Sequence, residues 1–447
     1  MVSQVHQESD AGISNLKSVS VSAIAEGLAA IVLMRVLLDF YYVDFVVPNY
    51  CYLYHFSFFP TVERAIVSWL MLMLTAPLVL LKVESQRTSD LLFALLYIIS
   101  FIPTTSIVAF QGVFSWQFVA SFFTYWAVFL FAQFLLPNVK FNGASKESSS
   151  IGSAVILAVL VLSVLAVCAL YSGFHFTFNL SDVYELRMEA RQFKMPLLLT
   201  FLFSAAKYVL PLYCVLFLSQ DRKTAAVLVA LVQFLAFSAD GTKSTLFALV
   251  FAILAYRFAR IIDCKLVIRA FVALFLISFI LYLLHSTGVV NYLVRRIFLI
   301  PALLNYSYYD FFSSHAIDLY RQSLLSKIGI KSAYSIDIAR VIGLYCFNDP
   351  AMNANNGLFA DAYANLGIIG CLVMPLVSVL VFRFIEACAD GISGKVLAAA
   401  LISASFTFNS SSFFTVLLTH GVAALCLALY WLPRNSADKS ISKIFSQ

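Results

Sequence analysis

The chain has 447 residues, 62% of them hydrophobic and only 12% charged, with a mean hydropathy of +0.91. A soluble domain carries about 25% charged residues, so a water-soluble fold of this length is excluded. The net charge of +6 is spread over short connections between apolar runs, which points to lipid headgroups rather than nucleic acid.

Residues 1–20 are polar and include Glu8 and Asp10, unlike the basic leader of a cleaved signal peptide. The first apolar helix, from Val21, reads as an uncleaved signal anchor. A spanning helix needs about 20 apolar residues. That length predicts about twelve transmembrane helices: 22–43, 63–81, 90–110, 116–136, 151–172, 197–218, 223–239, 243–259, 266–285, 364–385, 395–409 and 412–432. The eleventh, from Lys395 to Asn409, is short and Ser-rich, as a tilted or re-entrant segment would be. Alternating the spans from a cytoplasmic N-terminus puts Lys82 and Arg87, Lys140 and Lys146, Arg222 and Lys223, Arg257 and Arg260, and Arg434 and Lys439 inside. The outer connections 44–62, 111–115 and 410–411 then hold no Lys or Arg. The positive-inside rule therefore places both termini in the cytoplasm. The expected architecture is one all-α polytopic membrane domain over residues 1–447.

Two outer connections, 173–196 and 286–363, are long, and long connections tend to carry function. Both are rich in Tyr, Phe and Leu, which disordered segments lack. In the first, Ser181 and Asp182 are candidate N-caps for a helix from Val183 to Gln192. Arg187 and Arg191 lie four apart on one face of it, and Glu185 and Glu189 on another. The helix reads either as an interfacial amphipathic segment or as a presenter of two guanidinium groups, the side chain best matched to phosphate.

The second connection begins with Arg295 and Arg296, followed by an apolar stretch, Tyr308, Tyr309, Asp310 and His315. It ends NNGLFADAYANLGIIG, with Asn355, Asn356, Gly357, Asp361 and Asn365. Amides and carboxylates among aromatics hold sugar hydroxyls and stack on sugar rings. The alternatives are snorkelling to lipid phosphate for the arginines, turn chemistry for Asn356–Gly357 and helix capping for Asp361.

Charges inside spans often mark function. Arg35 and Asp39, four apart, neutralise each other. Lys207 lies midway along span six, Asp240 and Lys243 bracket a tight turn, and His420 in span twelve reads as a hydrogen-bonded core residue. The sequence DGTKST is no phosphate loop, because Ala236 stands where its first glycine belongs and apolar spans flank it. The eight cysteines form no Cys-x-x-Cys and no cluster with histidine, so no metal is expected.

In the order VYELR with a second Arg four residues on, FSADGTKSTLFALV, RRIFLIPALLNYSYYDFF and NNGLFADAYANLGIIG, residues 180–370 resemble the bacterial oligosaccharide repeat-unit polymerases, the O-antigen polymerases of Wzy type. The resemblance covers about half the chain and rests as much on order as on the motifs themselves. It implies a GT-C-like fold in the bacterial inner membrane with two long periplasmic connections. It implies a metal-independent glycosyltransferase with no cofactor, which moves a growing chain from undecaprenyl diphosphate onto an incoming lipid-linked repeat. It leaves room for a chain-length regulator as partner. The alternatives are a flippase for the same lipid-linked oligosaccharide and an O-antigen ligase. None of the six histidines fits the His-centred pattern of the ligases.

The chemistry sets the expected roles. A leaving lipid diphosphate needs cationic stabilisation, expected from Arg187, Arg191, Arg295 and Arg296. The attacking hydroxyl needs a base, expected among His315, Asp310 and Asp361, in that order. Tyr184, Tyr308, Tyr309, Asn355 and Asn365 are the expected sugar contacts.

Overall fold

A computed structural model describes residues 21–83, 87–112, 114–141, 146–174, 183–190, 192–258, 264–323 and 325–434. Regular elements are all helical among the described residues. Among the described residues eight helices are long and apolar enough to cross a membrane: Val62–Lys82, Thr88–Phe110, Trp116–Leu135, Ser150–Ser172, Leu197–Ser219, Lys223–Asp240, Leu358–Cys388 and Phe413–Trp431. A polytopic membrane protein is built this way because a helix satisfies its own backbone hydrogen bonds where lipid offers none. Val267–Leu283, Ile338–Phe347 and Gly394–Phe408 are shorter apolar helices.

The chain divides into two compact units, one within Met1–Leu136 and Asp263–Val379, the other within Pro137–Ile262 and Leu380–Gln447. At the centre of the first unit runs Thr88–Phe110, with its whole length buried inside the bundle. Its polar residues are buried with it, Thr104 and Thr105 among them, and find partners inside the bundle. Among its described residues the unit contains three π-helical stretches, Tyr42–Val46, Tyr97–Phe101 and Val290–Leu299. The first two each pack against the third. Such turns are rare and concentrate at functional sites, and the third carries Arg295 and Arg296.

Polar clamps hold this unit. Arg35 pairs with Asp39, as their spacing predicts, and its Nε donates to Thr105 Oγ1 at 2.9 Å. Buried Arg64 donates from Nε to Val108 O and from Nη1 to Phe59 O, both at 3.0 Å, and from Nη2 to Gln111 O. Gln111 in turn accepts from Tyr42 Oη at 2.8 Å and donates to His55 O at 2.9 Å.

The stretch expected as one long connection, 286–363, is largely helical. Val290–Leu299 runs straight into Ile300–Ser314, with Pro301 in its first turn, where a missing N–H costs nothing. The helix expected from residue 364 begins at Leu358, because the Asp361 amide already bonds Gly357 O at 2.9 Å. Asp361 and Asn365 therefore belong to the helix. It breaks at Gly367 (φ 58°, ψ −138°), a conformation that glycine alone adopts readily. The carbonyls of Ala364 and Asn365 then accept the amides of Asp318 and Leu319, at 3.0 and 3.1 Å. Leu319 and Tyr320 both have positive φ, 56° and 57°, a strained state that the surrounding contacts must hold.

In the second unit Leu197–Ser219 is the hub, packed against Lys146–Val167, Lys223–Asp240, Lys243–Phe258, Gly394–Phe408 and Val422–Trp431. Buried Gln233 donates to Lys207 O and to Thr245 O, each at 2.9 Å, and so joins three helices at one level. The last of these spans, Phe413–Trp431, is interrupted between its two helical stretches, Phe413–Leu418 and Val422–Trp431. His420 sits in the break, 2.9 Å from Ser411 Oγ through Nε2.

Candidate functional site

The second unit holds a cleft of about 330 Å³ lined by Arg187, Phe193, Met195, Phe203, Lys207 and Asp240, among others. Three local features build it. Helix Val183–Ala190, which the sequence predicts, presents Arg187. Helix Lys223–Asp240 ends at Gly241 in the left-handed conformation (φ 62°), its amide on Phe237 O at 2.8 Å. That turn aims the Gly241 carbonyl at Arg187, whose Nε donates to it at 3.0 Å. Lys207 stands ten residues into its helix, roughly 15 Å from the end at 1.5 Å per residue. Its ammonium meets Asp240 Oδ2 at 2.5 Å and lies 4.9 Å from the Phe203 ring centre. Asp240 Oδ1 accepts the Thr242 amide at 2.9 Å. Two cations and one anchored carboxylate thus face a partly apolar cleft. Among the described residues neither Nη of Arg187 is engaged. Arg191 lies outside the described residues, and so does the side chain of Tyr184.

The pairing of Lys207 with Asp240 was not read from the sequence, where the two were treated apart. The available signal was Lys207 itself, since a lone cation within an apolar span demands a counter-charge.

In the first unit, Arg295 is 8% exposed, not presented at a surface. Its guanidinium lies 4.1 Å from the Tyr50 ring centre and 5.4 Å from that of Tyr54. Nε donates to Asn291 Oδ1 at 2.5 Å, and the same oxygen accepts Tyr50 Oη at 2.9 Å. Nη1 is buried without a hydrogen bond. Neighbouring Arg296 is exposed.

Of the expected bases, His315 and Asp310 are exposed and Asp361 is buried. The His315 ring stacks on Phe311 at 4.0 Å, nearly parallel, and meets Tyr345 edge-on at 5.3 Å. Its Nδ1 lies 2.9 Å from Phe311 O. Ser314 Oγ lies 3.1 Å from the same nitrogen, and because a carbonyl oxygen only accepts, the contact with Phe311 O assigns the hydrogen to Nδ1 and leaves Nε2 as the acceptor. That leaves a proton acceptor on an exposed ring. Partial burial lifts the Asp310 carboxyl above its ordinary range, opposed by a hydrogen bond from Tyr306. Asp361 accepts from Asn365 Nδ2 at 3.1 Å and Asn356 Nδ2 at 3.2 Å.

Three of the expected sugar contacts are buried and hydrogen-bonded within the helices. Tyr308 is fully buried and donates to Ala354 O at 2.7 Å. Tyr309 is buried against Tyr363, with Oη on Gln117 Oε1 at 3.4 Å. A ring with no exposed face offers no stacking surface. Asn365 is committed to Asp361 and to the Tyr320 amide, at 2.8 Å. Asn355 is exposed and accepts from Asn353 at 3.2 Å. Among the described residues no group of three or more His, Cys, Asp or Glu could hold a metal ion. Cys51 and Cys346 are both unbridged.

Compared with known proteins, the chain matches no family model, no curated protein and no solved structure.

Proposed function

We propose that the chain polymerises undecaprenyl-diphosphate-linked oligosaccharide repeat units at the periplasmic face of a bacterial inner membrane, with both termini cytoplasmic. The observation that carries this reading is the convergence of Arg187 and Lys207 on one cleft with apolar walls. Two cations suit a diphosphate, and Phe193, Met195 and Phe203 suit the start of a polyprenyl chain. In the proposed reaction the acceptor hydroxyl attacks the anomeric carbon, and the bond from that carbon to the diphosphate oxygen breaks. Arg187 and Lys207 balance the charge that develops on that oxygen. The hydroxyl proton passes to a general base.

In this reading the chain makes twelve crossings in a GT-C-like arrangement. The eight long helices are joined in the count by the segment from Val21 to Tyr54, by Lys243–Phe258, by Cys264–Leu283 and by Gly394–Phe408. One observation favours the flippase reading: helices broken at Gly367 and around His420 are also a feature of transporters.

A gel of lipopolysaccharide from a strain lacking the gene separates the two. Lipid A-core capped with a single repeat, the ladder gone, is the expected outcome. Core with no repeat supports the flippase or ligase reading, and an unchanged ladder contradicts a role in O-antigen polymerisation.

A further inference from the structure

Asp240 is at odds with its position. It is the last residue of helix Lys223–Asp240, where the helix dipole disfavours an anion. It also sits inside the cleft that would receive an anionic headgroup, in contact with one of the two cations there. Both members of the pair are largely withdrawn from solvent, at 16% side-chain exposure each. The carboxylate is the fixed partner, because the Thr242 amide holds its second oxygen. Lys207 is the mobile one, on a four-carbon stem.

We propose that Asp240 is a specificity filter that keeps monoanionic phosphodiester headgroups out of the cleft and admits diphosphates. This deepens the proposed function and rests on it. A bilayer offers this site a vast excess of monoanionic phospholipid, and an open Arg–Lys pair would be filled by it. A monoanionic headgroup brings Lys207 the same single charge that tethered Asp240 already supplies, so the exchange gains nothing. A lipid diphosphate brings two charges joined through one bridging oxygen. One meets the Nη groups of Arg187, and the bridging oxygen then holds the other against Lys207 at an effective concentration that no separate monoanion reaches, so Lys207 leaves Asp240. Discrimination arises here by penalising the wrong ligand rather than by adding contacts to the right one.

The test uses the full chain in nanodiscs, with farnesyl diphosphate as the probe. Binding is measured in phosphatidylcholine alone and in phosphatidylcholine with one-third phosphatidylglycerol. The wild type is expected to bind equally in both. Asp240→Asn is expected to bind at least as tightly in phosphatidylcholine and to weaken fivefold or more with phosphatidylglycerol. Asp240→Ser serves as the second variant should the amide disturb folding, and Asp240→Glu restores indifference to the lipid. Indifference in Asp240→Asn and Asp240→Ser overturns the filter, as does loss of their binding in phosphatidylcholine, which makes Asp240 a mere prop for Lys207. Wild-type binding that survives both Arg187→Ala and Lys207→Met is a different failure: the cleft is then no diphosphate site, and the polymerase reading falls with the filter.

Discussion

Arg64 in the first unit and Arg187 in the second are both guanidinium groups at helical segments of an apolar chain, yet they are spent differently. Each nitrogen of Arg64 donates to a protein carbonyl, and its guanidinium lies 4.1 Å from the Phe114 ring centre. Among the described residues Arg187 gives one bond, to Gly241 O, and it lines a cleft. The contrast teaches that a buried arginine is a functional candidate only after its donors have been counted. Arg64 is a clamp, and Arg187 has donors left for a ligand.

The sharpest way to break this comparison is to remove both side chains. Arg187→Ala is expected to cut polymer synthesis about 10²- to 10³-fold, the usual cost of removing one group that stabilises developing charge, with the unfolding midpoint in detergent unchanged. Arg64→Ala is expected to lower stability by about 3 kcal/mol or more, since three carbonyls lose their donor, which thermal unfolding would register. Normal synthesis by Arg187→Ala, or an unaltered midpoint in Arg64→Ala, breaks the contrast.

His315→Ala, at the base expected from the sequence, comes next, with an expected loss of about 10²-fold in turnover and little change in affinity for the lipid-linked repeat. A change in affinity alone would reduce His315 to a stacking platform.

Asp310 gives a smaller, pH-dependent effect. Its carboxyl titrates above the ordinary value, so between the two values the folded state binds more protons than the unfolded one. Stability therefore falls as pH rises through that interval. Asp310→Asn is expected to melt slightly above the wild type at pH 7 and equally with it at pH 3. The reverse order at pH 7 contradicts the assignment.

Least of all, Tyr308→Phe should cost about 1 kcal/mol, one buried hydrogen bond, and leave activity intact. Lost activity would return Tyr308 to the sugar site.

The membrane class and most helices were legible in the sequence because apolar runs of spanning length are a composition signal, independent of partners. The helix around Arg187 and the Arg35–Asp39 pair were legible because they are local, four residues apart along one helix. The pairing of Lys207 with Asp240 joins residues of different helices, and no spacing rule reaches it. The break at Gly367 was hidden for another reason. Glycine is common in apolar helices, and only the docking of Asp318 and Leu319 on the freed carbonyls distinguishes this one. The burial of Tyr308 and Tyr309 was not legible, because aromatic residues mark sugar sites and helix packing alike and burial is a tertiary property.

The most direct measurement is reconstitution. The purified chain in nanodiscs is given undecaprenyl-diphosphate-linked repeat units, with no nucleotide sugar or second protein, and the products are released and sized. The account predicts a ladder of two or more repeats that is lost in Arg187→Ala and Lys207→Met. Repeats that stay single with the wild type, or a ladder that persists in both variants, would contradict it.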